Sequence, residues 1–177
     1  MRGRSIIFAL LLAGCAASQP TPRQPPPPQR IESFRGQYNF LSNFYPCEVE
    51  YDGLTYPSVE HAYQSAKTLD MSQRRRIAAE PTPAAAKAAG ESLRYRPDWE
   101  RVKYQVMLDC VRYKFSHHPE LARLLLNTGD AYLEEGNTWH DRIWGVYQGK
   151  GTNWLGEVLM QVRAELRAGT VPTTGPS

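Results

Sequence analysis

The sequence predicts an α+β domain, predominantly α-helical, with a small early β-hairpin. Helical segments recur six times, four of them with a start or stop signal of their own. One short alternating stretch with a tight-turn dipeptide precedes them, and no internal repeat is present. Many helices beside one hairpin are the pattern of segregated α and β elements.

The elements follow in chain order. "CEVEYDGLTY" alternates in its first half and carries Asp52-Gly53, which supplies the positive φ angles of a tight turn, so a hairpin is expected at about 47–56. Pro57 and Ser58 then offer a helix start, the serine hydroxyl being able to accept from free backbone amides. Val59, Ala62, Tyr63, Ala66 and Leu69 recur at helical spacing and are expected to face the core. "SQRRRIAAE" forms a second helix, whose Arg74, Arg75 and Arg76 read as a solvated face. Thr82-Pro83 opens a third, with a capping residue before a proline suited to the first turn. "PDWERVKYQVMLDCVRYKF" is the longest, with Val102, Val106, Cys110 and Tyr113 on one stripe and Trp99 at its head. Pro119 begins a helix that Gly129 ends, and "AYLEE" reads as a short strand. A long loop from Gly136 to Thr152 leads into the amphipathic "NWLGEVLMQVRAELRAG", which Gly169 stops.

The two ends have a different character. "MRGRS" is basic, "IIFALLLAG" is a short apolar run, and "LAGC" sets Cys15 behind small residues, as in a bacterial lipobox. Nine apolar residues are too few for a retained membrane span. Residues 1–15 are therefore expected to be a lipoprotein-type signal peptide, with lipidation at Cys15 and a membrane-anchored protein as the result; a misassigned start codon before a cytoplasmic enzyme is the alternative. "AASQPTPRQPPPPQR" (16–30) reads as an extended proline-rich spacer, 31–168 as the folded domain, and 169–177 as a disordered tail.

The chain carries 21 Lys and Arg against 18 Asp and Glu, a formal charge of +3. Without Arg2 and Arg4 the basic count is 19, leaving +1. Such a balance gives no global field for collecting nucleic acid, so an anion site has to be local. Cys47 and Cys110 fit no zinc spacing; they read as buried thiols, with pairing as the alternative in an oxidising compartment.

Glu60, Gln64 and Lys67 lie at i, i+4 and i+7, a polar stripe beside the apolar one. Taken alone, that is the pattern of a solvated face. Two other segments shift the reading inward: "YNFLSNF" upstream and "DRIWGVYQGKGTNWLG" downstream combine aromatic, acidic or amide and glycine residues in loops, where binding groups concentrate. In the second, Gly149, Lys150 and Gly151 precede a helix start and read equally as an anion cradle or a plain connection. The spacing is not that of a Walker A loop. His61 points about 100° away from Glu60 and is assigned a packing or supporting role; His117-His118 reads as a solvated helix end.

Together, "FLSNFYP", "YPSVEHAYQSAK", "DWERVKYQVM", "KFSHHPELARLLLNT" and "DRIWGVYQGKGTNWLGEVLMQVR" resemble, in order and spacing, the NADAR domain family, also called YbiA-like. The resemblance covers essentially all of 31–168. It implies a single, mainly helical N-glycosidase domain without cofactor or metal, acting on phosphoribosylated pyrimidine intermediates of riboflavin synthesis or on ADP-ribosylated guanine in nucleic acid. It sets Glu60 on the key acidic position and Trp99, Asp141 and Trp144 on pocket positions. Asn43, Phe44, Gln64, Lys67, Gly145 and Asn153 match motif residues. The lipobox, the spacer and Tyr147-Gln148 depart from the pattern.

The chemistry such a site needs is explicit. Breaking a ribose C1–N bond passes through an oxocarbenium-like state, so a carboxylate at that carbon stabilises charge or activates water, and Glu60 can do either. Trp99 or Trp144 can stack on a flat leaving group, for about 1–3 kcal/mol. Asp141 can orient hydroxyls or share the base role, or only cap a turn, and Trp99 at the head of its helix reads equally as core. Lys67, Lys150 and the amides before the last helix are expected to hold phosphate. The expected partner is a small phosphoribosyl or ADP-ribosyl substrate, with ADP-ribosylated nucleic acid and, through Cys15, a membrane as further partners. A non-catalytic, membrane-tethered ADP-ribose-binding module is the alternative function.

Overall fold

The computed structural model describes residues 28–170. The signal-type segment with Cys15, residues 16–27 of the spacer and residues 171–177 of the tail lie outside the described residues. The first element is β1 (Arg30–Ile31), which pairs in parallel with β4 (Tyr132–Leu133) and is tied to the residue after β4 by an Arg30–Glu134 ion pair. Arg30, assigned to the spacer by sequence, thus takes part in the fold.

A 3-10 helix, Gly36–Leu41, leads to the hairpin of β2 (Val49–Tyr51) and β3 (Leu54–Tyr56). Asp52 and Gly53 both take positive φ, 50° and 73°, as a two-residue hairpin turn demands. Next comes α1 (Val59–Ser65), capped by Ser58 Oγ, which accepts the His61 amide. All seven residues of α1 are buried. The helix stops at Ser65, so Leu69 is not its next apolar contact as expected but an exposed residue of the following turn.

Two short helices cover α1: α2 (Met71–Ala78), capped by Asp70, and α3 (Pro83–Glu91), capped by Thr82. The expectation of a fully solvated arginine face on α2 is corrected at Arg74. That side chain is buried, its Nε donating to the Thr68 carbonyl and its Nη1 reaching Asp52 in the hairpin turn. Arg75 and Arg76 are exposed.

The other half of the domain is a three-helix layer of α4 (Trp99–His117), α5 (Pro119–Asn127) and α6 (Trp154–Ala168), with α4 packed on both α1 and α6. Gly169, at φ 65°, ends α6: its amide and that of Thr170 bond back to Leu166 and Glu165. Between α5 and α6 the sequence suggested a strand and then plain loop. The segment instead contains a second parallel pair, β5 (Gly136–Asn137) with β6 (Val146–Tyr147). One core joins the layers, from Ile31 and Phe34 through α1 to Val106, Val111, Leu155 and Leu159. Cys110 is buried within it, Cys47 is half-buried, and both thiols are free.

Candidate active site

A cavity of about 740 Å³ opens where α1 meets the loop after the 3-10 helix and the segment from β4 to β6. Its floor is one face of α1: Glu60, Tyr63, Gln64 and then Lys67. Asn43 and Phe44 line one side, Lys87 and Glu91 of α3 another. Glu135, Trp139, Asp141 and Trp144 close the far wall, with Arg35 beside them.

Glu60 is 3% exposed and held at both oxygens. Asn43 Nδ2 donates to Oε2, Gln64 Nε2 donates to Oε1 at 2.7 Å, and the Glu60 amide donates back to the Asn43 carbonyl at 2.9 Å. Burial pushes the carboxyl up to about 7, against the opposing pull of the Gln64 bond and of Lys87 and Lys67. The i, i+4 spacing on α1 therefore makes Gln64 a clamp for Glu60. Gly90 of α3 permits it: a Cβ there would lie 2.1 Å from Gln64 Oε1. Lys67 is also buried. Its ammonium lies 4.9 Å from the Tyr95 ring centroid, and burial lowers its pKa. His61 is turned out of the cavity. Its Nε2 faces the Glu80 carbonyl, which only accepts, so Nδ1 is left to accept from the Ser58 hydroxyl. This is the supporting role assigned to it.

The tryptophans divide. Trp144 lines the cavity, edge-on to Tyr63 with ring centroids 5.2 Å apart. Trp99 does not line it, which corrects its assignment as a stacking surface. It lies behind Tyr63, 5.1 Å between centroids and 4% exposed, because the head of α4 packs directly on α1. Phe44 and Trp139 are partly exposed at the cavity wall, and Trp139 has the Arg35 guanidinium 5.9 Å from its centroid.

Asp141 lines the cavity and also does the turn-capping that a loop aspartate commonly does: its Oδ1 accepts from the Ile143 and Trp144 amides, both at 2.9 Å. Asn137 clamps its backbone at N–H and C=O. Through these bonds Asp141 sets the position of Trp144.

Gly145, Lys150 and Asn153 do not line the cavity, correcting the expectation that the glycine-lysine turn belongs to it. Tyr147 and Lys150 exchange backbone hydrogen bonds around Gln148-Gly149, both at positive φ, so the lysine sits in a tight exposed turn. Asn153, at φ 56°, is 2% exposed and spends its amide on backbone: Nδ2 donates to the Leu133 carbonyl and Oδ1 accepts from the Glu135 amide. Gly145 is a packing position, since a Cβ there would lie 2.3 Å from the Glu135 carbonyl.

Sequence reading missed Arg35, Lys87, Glu135 and Trp139. "EEGNTWHD" does place acidic and aromatic groups around a glycine, the same signal that singled out the segment from Asp141 onward. Its two glutamates close the stretch that reads as a short strand, and only the remainder falls in the loop from Gly136. Glu135 is held largely out of water, which pushes its carboxyl up to about 7; Arg35 lowers it and Asp141 raises it further.

The NADAR domain profile matches residues 32–167. The N-glycosidase YbiA of Escherichia coli (strain K12) is 42% identical over 132 residues, covering 73% of this chain and 82% of that protein. An N-glycosidase of Nostoc punctiforme is 38% identical over 136 residues, 73% of this chain and 86% of that protein. A riboflavin biosynthesis protein of Vibrio vulnificus is 40% identical over 133 residues, 73% of this chain but 36% of that longer protein. The NMR structure of E. coli YbiA superposes with a TM-score of 0.69 at 38% identity, over 80% of this chain and 90% of that one.

Proposed function

The chain belongs to the NADAR domain family, and from that membership we propose that it is an N-glycosidase that hydrolyses the N-ribosyl bond of a phosphoribosylated or ADP-ribosylated heterocycle. The observation that carries the reading is the Glu60 carboxyl, buried in the floor of a ligand-sized cavity and gripped at both oxygens by Asn43 and Gln64. A side chain fixed so firmly at the wall of a cavity is pre-organised to act there.

In this reading Glu60 lies beneath the ribose. Its ionised form takes the proton of the attacking water and balances the positive charge that develops on the sugar. Trp144 meets the heterocycle, with Phe44 and Trp139 available on the wall. Lys67 and Lys87, both lining the cavity, replace Lys150 as the groups that neutralise phosphate. Asp141 serves by fixing Trp144 and offers its second oxygen to a ribose hydroxyl.

The wild-type protein tests this directly when incubated separately with a phosphoribosylamino-pyrimidine and with ADP-ribosylated guanine. Ribose 5-phosphate or ADP-ribose is the expected product. Saturable binding with no product over long incubation would instead support the tethered binding module. The lipobox and spacer support placement at a membrane through lipidated Cys15, against a cytoplasmic protein from a later start. Cell fractionation with mass spectrometry of the N-terminus distinguishes them: a diacylglyceryl cysteine supports the anchor, an unprocessed or later start the cytoplasm.

A further inference from the structure

We propose that Glu135 is the acid of this site, handing a proton from its carboxyl group to the departing nitrogen while the Glu60 carboxylate takes one from the attacking water. The inference rests on the N-glycosidase reading above.

Two acids in one cavity are both raised by burial, Glu60 also by Glu91, but they differ in their hydrogen bonds. Both Glu60 oxygens receive N–H donors, and Lys67 and Lys87 bear on it, all of which favour the ionised form. Glu135 Oε2 is buried and has no hydrogen-bond partner. Among the described residues only three buried side-chain atoms are in that position, and two of them, Gln64 Oε1 and Glu135 Oε2, belong to residues that line the cavity. Leaving a carboxylate oxygen buried without a donor is costly, whereas a carboxylic acid there keeps its proton to give. The charged groups bearing on Glu135 are Arg35, ahead of the 3-10 helix, and Asp141, in the loop between β5 and β6; they act in opposite directions.

The backbone of Glu135 is fixed as tightly as the carboxyl is free. Its amide donates to Asn153 Oδ1 at 3.0 Å, its carbonyl accepts from the Val146 amide at 2.9 Å, and Gly145 leaves room for that carbonyl. Gly145 and Asn153, which do not reach the cavity, thereby acquire a role as positioning residues for Glu135.

The step balances. The water oxygen bonds to C1 as the C1–N bond breaks, and the bonding pair goes to nitrogen. Glu60 takes the water proton; the Glu135 proton goes to the nitrogen. The products are a C1 hydroxyl and an N–H heterocycle, with Glu60 protonated and Glu135 ionised. One proton passing between them through solvent resets the site.

The test compares wild type and Glu135→Gln on two probes. A phosphoribosylamino-pyrimidine needs its leaving nitrogen protonated; nicotinamide ribose 5-phosphate departs as a neutral pyridine and does not. Expected is a fall in kcat/KM of about 10²–10⁴-fold on the first probe and less than about fivefold on the second. The alkaline fall of the pH profile on the first probe should vanish in the variant. Equal losses on both probes, a loss under tenfold on the first, or an alkaline fall retained by the variant overturns the assignment. Should the variant fail to fold, wild type alone decides: the alkaline fall must be present on the pyrimidine and absent on the pyridinium. A wild type inert on both probes and on ADP-ribosylated guanine removes the glycosidase reading itself, and the acid role with it.

Discussion

At the scale of single residues, burial of Glu60 opposes its own ionisation, and this has a measurable cost. Burial pushes its carboxyl up from the usual 4.5 to about 7, and raises Glu135 the same way. The folded protein therefore binds more protons than the unfolded chain between those values, and this contribution to stability is full below about 4.5 and lost as pH rises through about 7. For Glu60 the loss is on the order of 3 kcal/mol, by 1.36 kcal/mol per pH unit. Thermal melts of wild type and Glu60→Gln across pH 4 to 8.5 check this: wild type should lose stability over that range, and the variant should lose distinctly less. If ionised Glu60 and protonated Glu135 work together, kcat/KM should also be bell-shaped with its maximum near pH 7, because it rises as the first ionises and falls as the second does. A profile flat from pH 5 to 9 would contradict that pairing. Glu60, Gln64 and Lys67 were legible in the sequence because helical spacing fixes their common direction. The family resemblance sets Trp99 at the pocket, but it does not reveal that the head of α4 packs on α1 and covers the ring.

At the scale of elements, α1 shows why the polar stripe was ambiguous. A helix whose polar and apolar faces are both buried carries the same pattern as one with a wet face; the difference lies in α3, which closes over Gln64 through Gly90. Gly90→Ala gains helix propensity, roughly 1 kcal/mol, yet its methyl group must push Gln64 away from Glu60. Expected is a fold of unchanged helicity by circular dichroism with kcat/KM reduced at least tenfold; unaltered kinetics would show that the clamp is dispensable. Helix α2 gives a second case. Arg74→Ala should lower stability by about 1–3 kcal/mol in urea titrations, since the Thr68 carbonyl and the hairpin turn lose their buried donor. Arg75→Ala and Arg76→Ala, on the exposed face, should stay within about 0.5 kcal/mol of wild type. The capping signals at Ser58, Thr82, Gly129 and Gly169 were readable because they act within a few residues. The parallel β5 and β6 pair was not, since a two-residue strand has no periodicity to detect.

At the scale of the whole molecule, the cavity joins Asn43 to Asp141, nearly a hundred residues apart, through helices between them. The residues recognised there from sequence stand in dense local motifs, whereas Arg35 and Lys87 enter only through long-range packing. The same packing removed Lys150 and Asn153 from the site and gave Asn153 the task of holding the β4–β6 segment. With a nearly balanced net charge, binding of an anionic substrate depends on the few cations at the cavity rather than on the molecule's overall field. The central claim, that the carboxylate at position 60 works on the ribose, is tested most directly by measuring turnover and affinity side by side for wild type and Glu60→Gln. With a phosphoribosylamino-pyrimidine as substrate, kcat should fall about 10²–10⁴-fold while the calorimetric Kd changes by less than about threefold. Full turnover by the variant would contradict the account.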